Sequence, residues 1–223
     1  MAKYHSPKVL FLENVKNLVN HDNGKTFKII KKNLNDLNYN IYFNVLNASN
    51  YGVPQARKRI YLICIRTDID NHNFKFPMEQ KNFIPLSNIL LNNDNCENFI
   101  ITKEYKLNNE KIKKYSKIDK KPLRIGTVNK GGQGDRIYST NGHAITLSAE
   151  GGGTGSKTGL YLVDEKVRKL HPRETARLME FPDSFKYDSS INQAHKQFGN
   201  SVIVDILQLI IKELIKDGSI YNE

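Results

Sequence analysis

The sequence predicts an α/β fold, a partial sheet of mostly parallel strands followed by a small β-rich module, and three observations predict it. Val9-Leu10-Phe11-Leu12 is an apolar run with no polar alternation, which suits a strand buried on both faces. A stripe of apolar residues at helical spacing separates it from a second β-prone run. Residues 124–163 then change to glycine clusters and short β-prone runs with no helical period.

Taken in order, the first strand ends at Glu13-Asn14-Val15, and polar residues at such an end sit where open α/β sheets bind ligands. Phe27, Ile30, Leu34 and Leu37 predict a crossover helix with lysines on its opposite side. Ile41 to Leu46 reads as the second strand and Arg59 to Ile65 as another, joined through Gly52 and Pro54. The strand, helix, strand order implies a βαβ unit. From Asp68 to about Lys121 the pattern dissolves into polar, Asn- and Lys-rich sequence, expected to be a linker and the edge of a second domain. The β-rich module carries Arg136-Ile137-Tyr138-Ser139 and Ala144-Ile145-Thr146-Leu147 as strand-like runs. Pro172 suits the first turn of a helix through Met179, because its missing N–H costs nothing there. Val202 through Ile206, Leu209, Ile210 and Leu214 gives a final amphipathic helix, for which Asn200 or Ser201 would be the N-cap. The resulting boundaries are 1–70, 71–165 and 166–223.

Composition narrows the partner. The 223 residues carry 34 Lys and Arg against 23 Asp and Glu, a formal charge of +11. A polyanion is the natural counterpart of that excess, although a lysine-rich solvated surface would give the same count. Cys64 and Cys96 stand far apart and outside any metal-ligand spacing, so neither a disulfide framework nor a metal site is indicated, and a reducing cytoplasm is expected. No stretch is apolar enough to span a bilayer, and no signal-peptide pattern is present.

Four segments hold side chains suited to chemistry, each with a plainer reading beside it. Glu13 and Asn14 follow an apolar strand; a partly desolvated carboxyl there can share a proton with a ring nitrogen, or it can simply punctuate the strand. Gln55, Arg57 and Arg59 alternate into the next strand and are expected to point to one side, as a row of donors for an anion or carbonyl or as a solvated basic turn. Gly131 to Arg136 and Gly151 to Gly155 permit close backbone approach to a ligand, with Gln133 and Arg136 able to read purine edges; flexible hairpin loops are the alternative. Neither run is a phosphate-binding loop, since no Gly-Lys-Ser/Thr ending is present. Gln197 to Val202 precedes the final helix.

The order and spacing of these segments carry more than any one of them. Glu-Asn-Val after an apolar strand, Gln-x-Arg-x-Arg before a later strand, a glycine-rich variable module, Arg168-Lys169-Leu170 through Phe181-Pro182-Asp183, and Gln-Phe-Gly-Asn-Ser-Val before the last helix resemble motifs VI, VIII, IX and X of the DNA cytosine-5 methyltransferases. The resemblance covers nearly the whole chain and is thinnest between about Asn71 and Lys121. It implies a partial Rossmann-like methyltransferase sheet with a small target-recognition domain. It also implies that Glu13 holds N3 of a cytosine rotated out of the duplex, that Asn14 orients Glu13, that Arg59 lies near the cytosine O2, and that Arg57 supports the DNA contact. Gln133 would fill the space vacated by the base and Arg136 would read a guanine. Thr146, Ser148, Gly151 and Gly152 would follow the DNA backbone, and Asn200, Ser201 and Val202 would close over S-adenosylmethionine. The implied target is a short GC-rich palindrome in double-stranded DNA.

The sequence departs from the family pattern in four places. Phe-x-Gly-x-Gly for the cofactor and Pro-Cys-Gln for the nucleophile should precede Glu13, where twelve residues stand, and neither motif occurs in the chain. The expectation is therefore an amino-terminal partner subunit or fragment that supplies both; a non-catalytic DNA-binding remnant is the alternative. Glu180 occupies a helix terminus where the family has Gly, and Glu150 precedes the glycine run where a carboxylate repels phosphate.

Overall fold

The computed structural model describes residues 1–80, 82–116, 119–187 and 190–218, and the chain divides into two compact units. The first comprises Met1–Asn47, Lys58–Glu79 and Asp205–Glu223; the second comprises Ala48–Arg57 and Gln80–Val204.

In the first unit a short helix α1 (Ala2–His5) leads into β1 (Val9–Val15), helix α2 (Lys25–Asn35), β2 (Tyr39–Asn47) and β3 (Lys58–Arg66). The strand order is β1-β3-β2, and β3 is antiparallel to both neighbours. The strand, helix, strand order is as expected, but the parallel pairing is not: β3 inserts between β1 and β2. The buried strand also differs. Ile60 to Ile65 of β3 are at most 2% exposed, while β1 is a half-buried edge with Leu12 and Val15 open to solvent. An apolar run reports burial without saying which strand is central, and here the central place falls to the run flanked by two hydrogen-bonding neighbours. Glu13, Asn14 and Val15 lie inside β1 rather than after it.

The crossover helix behaves as its stripe requires. Phe27, Ile30, Leu34 and Leu37 pack with Tyr39, Ile60, Leu62 and Cys64 on one face of the sheet. At the opposite end of α2, the Lys32 ammonium meets Asp36 one turn on.

The second unit holds β4 (Tyr105–Leu107), α3 (Asn109–Lys114), β5 (Leu123–Val128), β6 (Arg136–Ser139), β7 (Leu160–Val163), β8 (Lys166–Arg168), α4 (Pro172–Leu178) and α5 (Ile191–Asn200). Helix α6 (Val204–Asp217) begins at the last residue of this unit and runs through the first, where it buries Ile206, Ile210 and Leu214. The five strands lie in sequence order, antiparallel except for β6 with β7, over a core of Ile125, Val128, Ile137, Leu160 and Val167.

Three expectations are corrected here. The stretch from Asp68 to Lys121, expected as a linker and the edge of a second domain, is folded rather than a bare linker: apart from 81, 117 and 118, which lie outside the described residues, it carries 3-10 turns, α3 and β4, the edge strand of the second unit's sheet. It also buries Phe74, Leu86, Cys96 and Phe99. Single anchors at irregular spacing leave no period to read. Ala144 to Leu147 forms no strand beyond one bridge from Ala144 to Gln55. Finally, Gln197 to Asn200 are the last turn of α5, with Ser201 as its C-cap, so neither Asn200 nor Ser201 caps α6. The unit boundaries also differ from the sequence segments, since residues 48–57 and 166–204 cluster with the β-rich module.

Candidate active site and nucleic-acid interface

Within the first unit, strand register decides which polar side chains meet. Glu13 stands opposite Tyr61 and Val15 opposite Arg59, so Glu13 and Arg59 share one face as diagonal neighbours. Their ion pair closes at 2.9 Å, Arg59 Nε to Glu13 Oε1, with both side chains about four-fifths shielded. One Arg59 terminal nitrogen donates to the Lys58 carbonyl at 3.0 Å. Asn14 is exposed and projects from the other face of β1; its side-chain oxygen accepts the Val15 N–H at 2.8 Å. It therefore makes no hydrogen bond that would orient Glu13.

Gln55 and Arg57 do not join a row with Arg59, because they precede β3 and the alternation of a strand does not apply to them. Both are buried in the second unit. The Gln55 amide donates to the Leu178 carbonyl at 3.1 Å and accepts the Leu147 N–H at 3.1 Å. Arg57 donates to the carbonyls of Leu147, Gly199 and Ser201 at 3.2, 3.3 and 2.8 Å. That guanidinium ties Leu147, within the β-rich module, to the end of α5.

The two glycine runs fold onto each other. Gly155 N–H donates to the Gly134 carbonyl at 2.7 Å, and Thr154 N–H to the Asp135 carboxylate at 2.9 Å, which holds that carboxyl below its ordinary range. A Cβ on Gly134 would stand 1.8 Å from the Gly152 carbonyl oxygen, so no other residue fits there. Gln133, Thr146, Ser148, Gly151 and Gly152 line one hollow of about 170 Å³, together with Glu150. Gln133 and Gly152 are exposed; Thr146 donates to the Ala56 carbonyl at 2.6 Å, and the Ser148 hydroxyl to the Glu150 carbonyl. Arg136 lies on the sheet beside this hollow, and its Nε is buried with no hydrogen-bond partner among the described residues.

Asn200 is exposed at the end of α5, Ser201 hydroxyl donates to the Val202 carbonyl at 3.2 Å, and Val202 is half-buried. Ser201 also lines a cavity of about 530 Å³ walled by Phe181, Phe185, Tyr187 and Phe198, with Gln197 and Lys186 at its rim. The aromatic wall has no sequence signature, because Phe181 and Phe185 come from the loop after α4 and Phe198 from α5, with no shared period.

Both cysteines are buried and free. Cys64 is fully buried in β3 and burial pushes its thiol up to about 12; burial raises Cys96 as well. Among the described residues no group of His, Cys, Asp and Glu could hold a metal ion, and no helix is long and apolar enough to cross a membrane.

Comparison with known proteins covers the whole of this arrangement. Residues 1–216 match the family model of C-5 cytosine-specific DNA methylases. The type II methyltransferase M.HhaI of Haemophilus parahaemolyticus is 51% identical over 213 residues, covering 94% of this chain and 64% of that protein. M.HaeII of Haemophilus aegyptius is 36% identical over 219 residues, covering 96% and 63%. The chain thus spans a little under two thirds of the length of these relatives. Among solved structures, the Entamoeba histolytica methyltransferase EhMeth superposes with a TM-score of 0.66 at 20% identity, covering 97% of this chain and 64% of that one. Dnmt2 of S. pombe follows at 0.64 and 16%, covering 94% and 67%, so the fold is that of a Rossmann-like methyltransferase. With a family model matched along almost its full length, the chain belongs to the C-5 cytosine-specific DNA methylases.

Proposed function

We propose that this chain forms the target-base and DNA-reading part of a DNA cytosine-5 methyltransferase, completed by a polypeptide that carries the nucleophilic cysteine and the cofactor loop. The observation that carries the reading is the Glu13–Arg59 pair at 2.9 Å on one face of β1 and β3. A carboxyl that holds a proton at N3 of an extruded cytosine, next to a guanidinium at O2, stabilises the negative charge that enters the ring when a thiolate adds at C6. The base has to leave the stack for these groups to reach it. The hollow formed by Gln133, Thr146, Ser148, Gly151 and Gly152 supports a role for those residues against DNA, and the guanidinium fork of the half-buried Arg136 suits a guanine edge. A short GC-rich site is the proposed target.

The exposed Asn200 amide, the Ser201 hydroxyl and Val202 beside an aromatic-walled cavity fit one side of S-adenosylmethionine. When bound, that cofactor supplies an electrophilic methyl group. Arg57 acts on this segment as a positioning residue through its bonds to Gly199 and Ser201.

Mixing the chain with a polypeptide bearing Phe-x-Gly-x-Gly and Pro-Cys-Gln tests the reading by transfer of labelled methyl to GCGC-containing DNA. Activity is expected in the mixture and not in either part, and Glu13→Gln should lower it by about 10²- to 10⁴-fold. Failure of any such partner to restore transfer overturns the reading. The alternative is a DNA-binding remnant that reads sequence without catalysis, and the +11 charge with the glycine-bounded hollow serves that reading equally. A gel-shift titration decides its central claim: equal affinity for GCGC and scrambled duplexes rejects specific readout.

A further inference from the structure

On β4, Lys106 stands directly opposite Thr127 of β5, and Thr127 stands directly opposite Arg136 of β6. Opposed residues of antiparallel strands share a face, so Lys106, Thr127 and Arg136 form one row across three strands. With strands about 4.8 Å apart, the row carries Lys106 on the order of 10 Å beyond Arg136. Lys106 and Thr127 also line an open groove of about 430 Å³, with Arg124 on β5 and Lys111 on α3. Among the described residues, neither lysine is held in an ion pair. The charge is concentrated here: residues 103–130 hold ten Lys and Arg against three Asp and Glu, +7 of the chain's +11.

We propose that the edge formed by β4 and α3 grips the phosphate backbone of duplex DNA flanking the recognition site, with Lys106 and Lys111 as its contacts. The proposal rests on the reading of Arg136 and the glycine hollow as the DNA interface. Duplex DNA is the occupant because the row is continuous with that interface and of opposite charge to a phosphate track. At about 3.4 Å per base pair along the helix, a step of on the order of 10 Å reaches roughly three base pairs past the base that Arg136 meets. A lysine there carries no sequence information; it holds register and adds affinity.

Fluorescence anisotropy with two GCGC duplexes tests this, one of roughly 24 base pairs and one hairpin-closed at roughly 8, which ends before the lysines' reach. The double variant Lys106→Glu/Lys111→Glu should lose about tenfold or more in affinity for the long duplex, and its log–log salt slope should fall by about 2, near one unit per released phosphate contact. Affinity for the short duplex should stay within about twofold of the original chain. Equal losses on both duplexes, or no loss on the long one, overturn the proposal. If the charge reversal shifts the urea unfolding midpoint, Lys106→Gln/Lys111→Gln carries the same comparison. Wild-type affinity that is equal for GCGC and scrambled long duplexes removes specific readout while leaving the flank effect measurable, so the two failures are distinguishable.

Discussion

Arg168 and Glu174 are both fully buried, and their charges are matched atom by atom. The guanidinium meets both carboxylate oxygens at 2.8 Å and also reaches Asn93 Oδ1 and the carbonyls of Leu91 and Lys169; the carboxylate accepts the N–H groups of Leu91 and His171. Removing one partner leaves the other charge dry and unpaired, so Glu174→Gln should lower unfolding stability by about 3–5 kcal/mol in a urea titration. At Glu180 the imbalance runs the other way. Its φ is 61°, and its N–H bonds to Arg177 O while Phe181 N–H bonds to Ala176 O, the Schellman pattern that ends α4. A left-handed residue with a Cβ costs about 1 kcal/mol, so Glu180→Gly should raise the urea midpoint by an equivalent of about 1 kcal/mol. Glu180 was legible as a strained terminus through the resemblance, because the family pattern has Gly at that helix end and a left-handed terminus favours Gly. Arg57 was not. Its partners lie 90 to 144 residues along the chain, and a two-residue alternation says nothing about a segment that never becomes a strand.

Among the elements, the paired glycine runs are the most constrained. Because the Gly152 carbonyl fills the space of a side chain at Gly134, Gly134→Ala should separate the two runs. Specific binding to the GCGC duplex should fall by at least tenfold, with retained affinity for scrambled DNA as the check that the basic surface survives. The β7–β8 hairpin turns through Asp164 and Glu165 at φ 44° and 66°, a tight turn with two residues in the left-handed region and no glycine. Glu165→Gly should stabilise the second unit by up to about 1 kcal/mol, read from its urea midpoint. Helix α2 was readable to within two residues because its stripe repeats over three turns, and α4 because a proline marks its start. The β4–α3 edge was not, since a three-residue strand and a six-residue helix are too short to show a period.

Over the whole molecule, pH acts through buried histidines. Burial lowers His143 and His195 to about 4, against an ordinary value near 6.5. A folded-state value depressed below the unfolded one gives stability that is complete above pH 6.5 and lost as pH falls toward 4, because the unfolded chain takes up the protons first. Full expression of that difference is on the order of 3 kcal/mol per histidine. Unfolding midpoints should therefore drop steeply between pH 6.5 and 4, and His195→Gln should flatten the drop; a profile unchanged by that variant would remove the explanation.

What the sequence determined by itself was local or additive. The periods of the helices, the punctuation at Pro172 and Glu180, the net charge, and the ordered string of family motifs all survive without a fold. Tertiary structure decided which strand lies in the middle of the first sheet, that Asn14 faces away from Glu13, and that Arg57 is spent on internal carbonyls. It also brought Lys106 into line with Arg136. These depend on register and on contacts between residues distant in the chain, and a side chain's neighbours across a sheet are set by pairing, which a linear pattern does not encode.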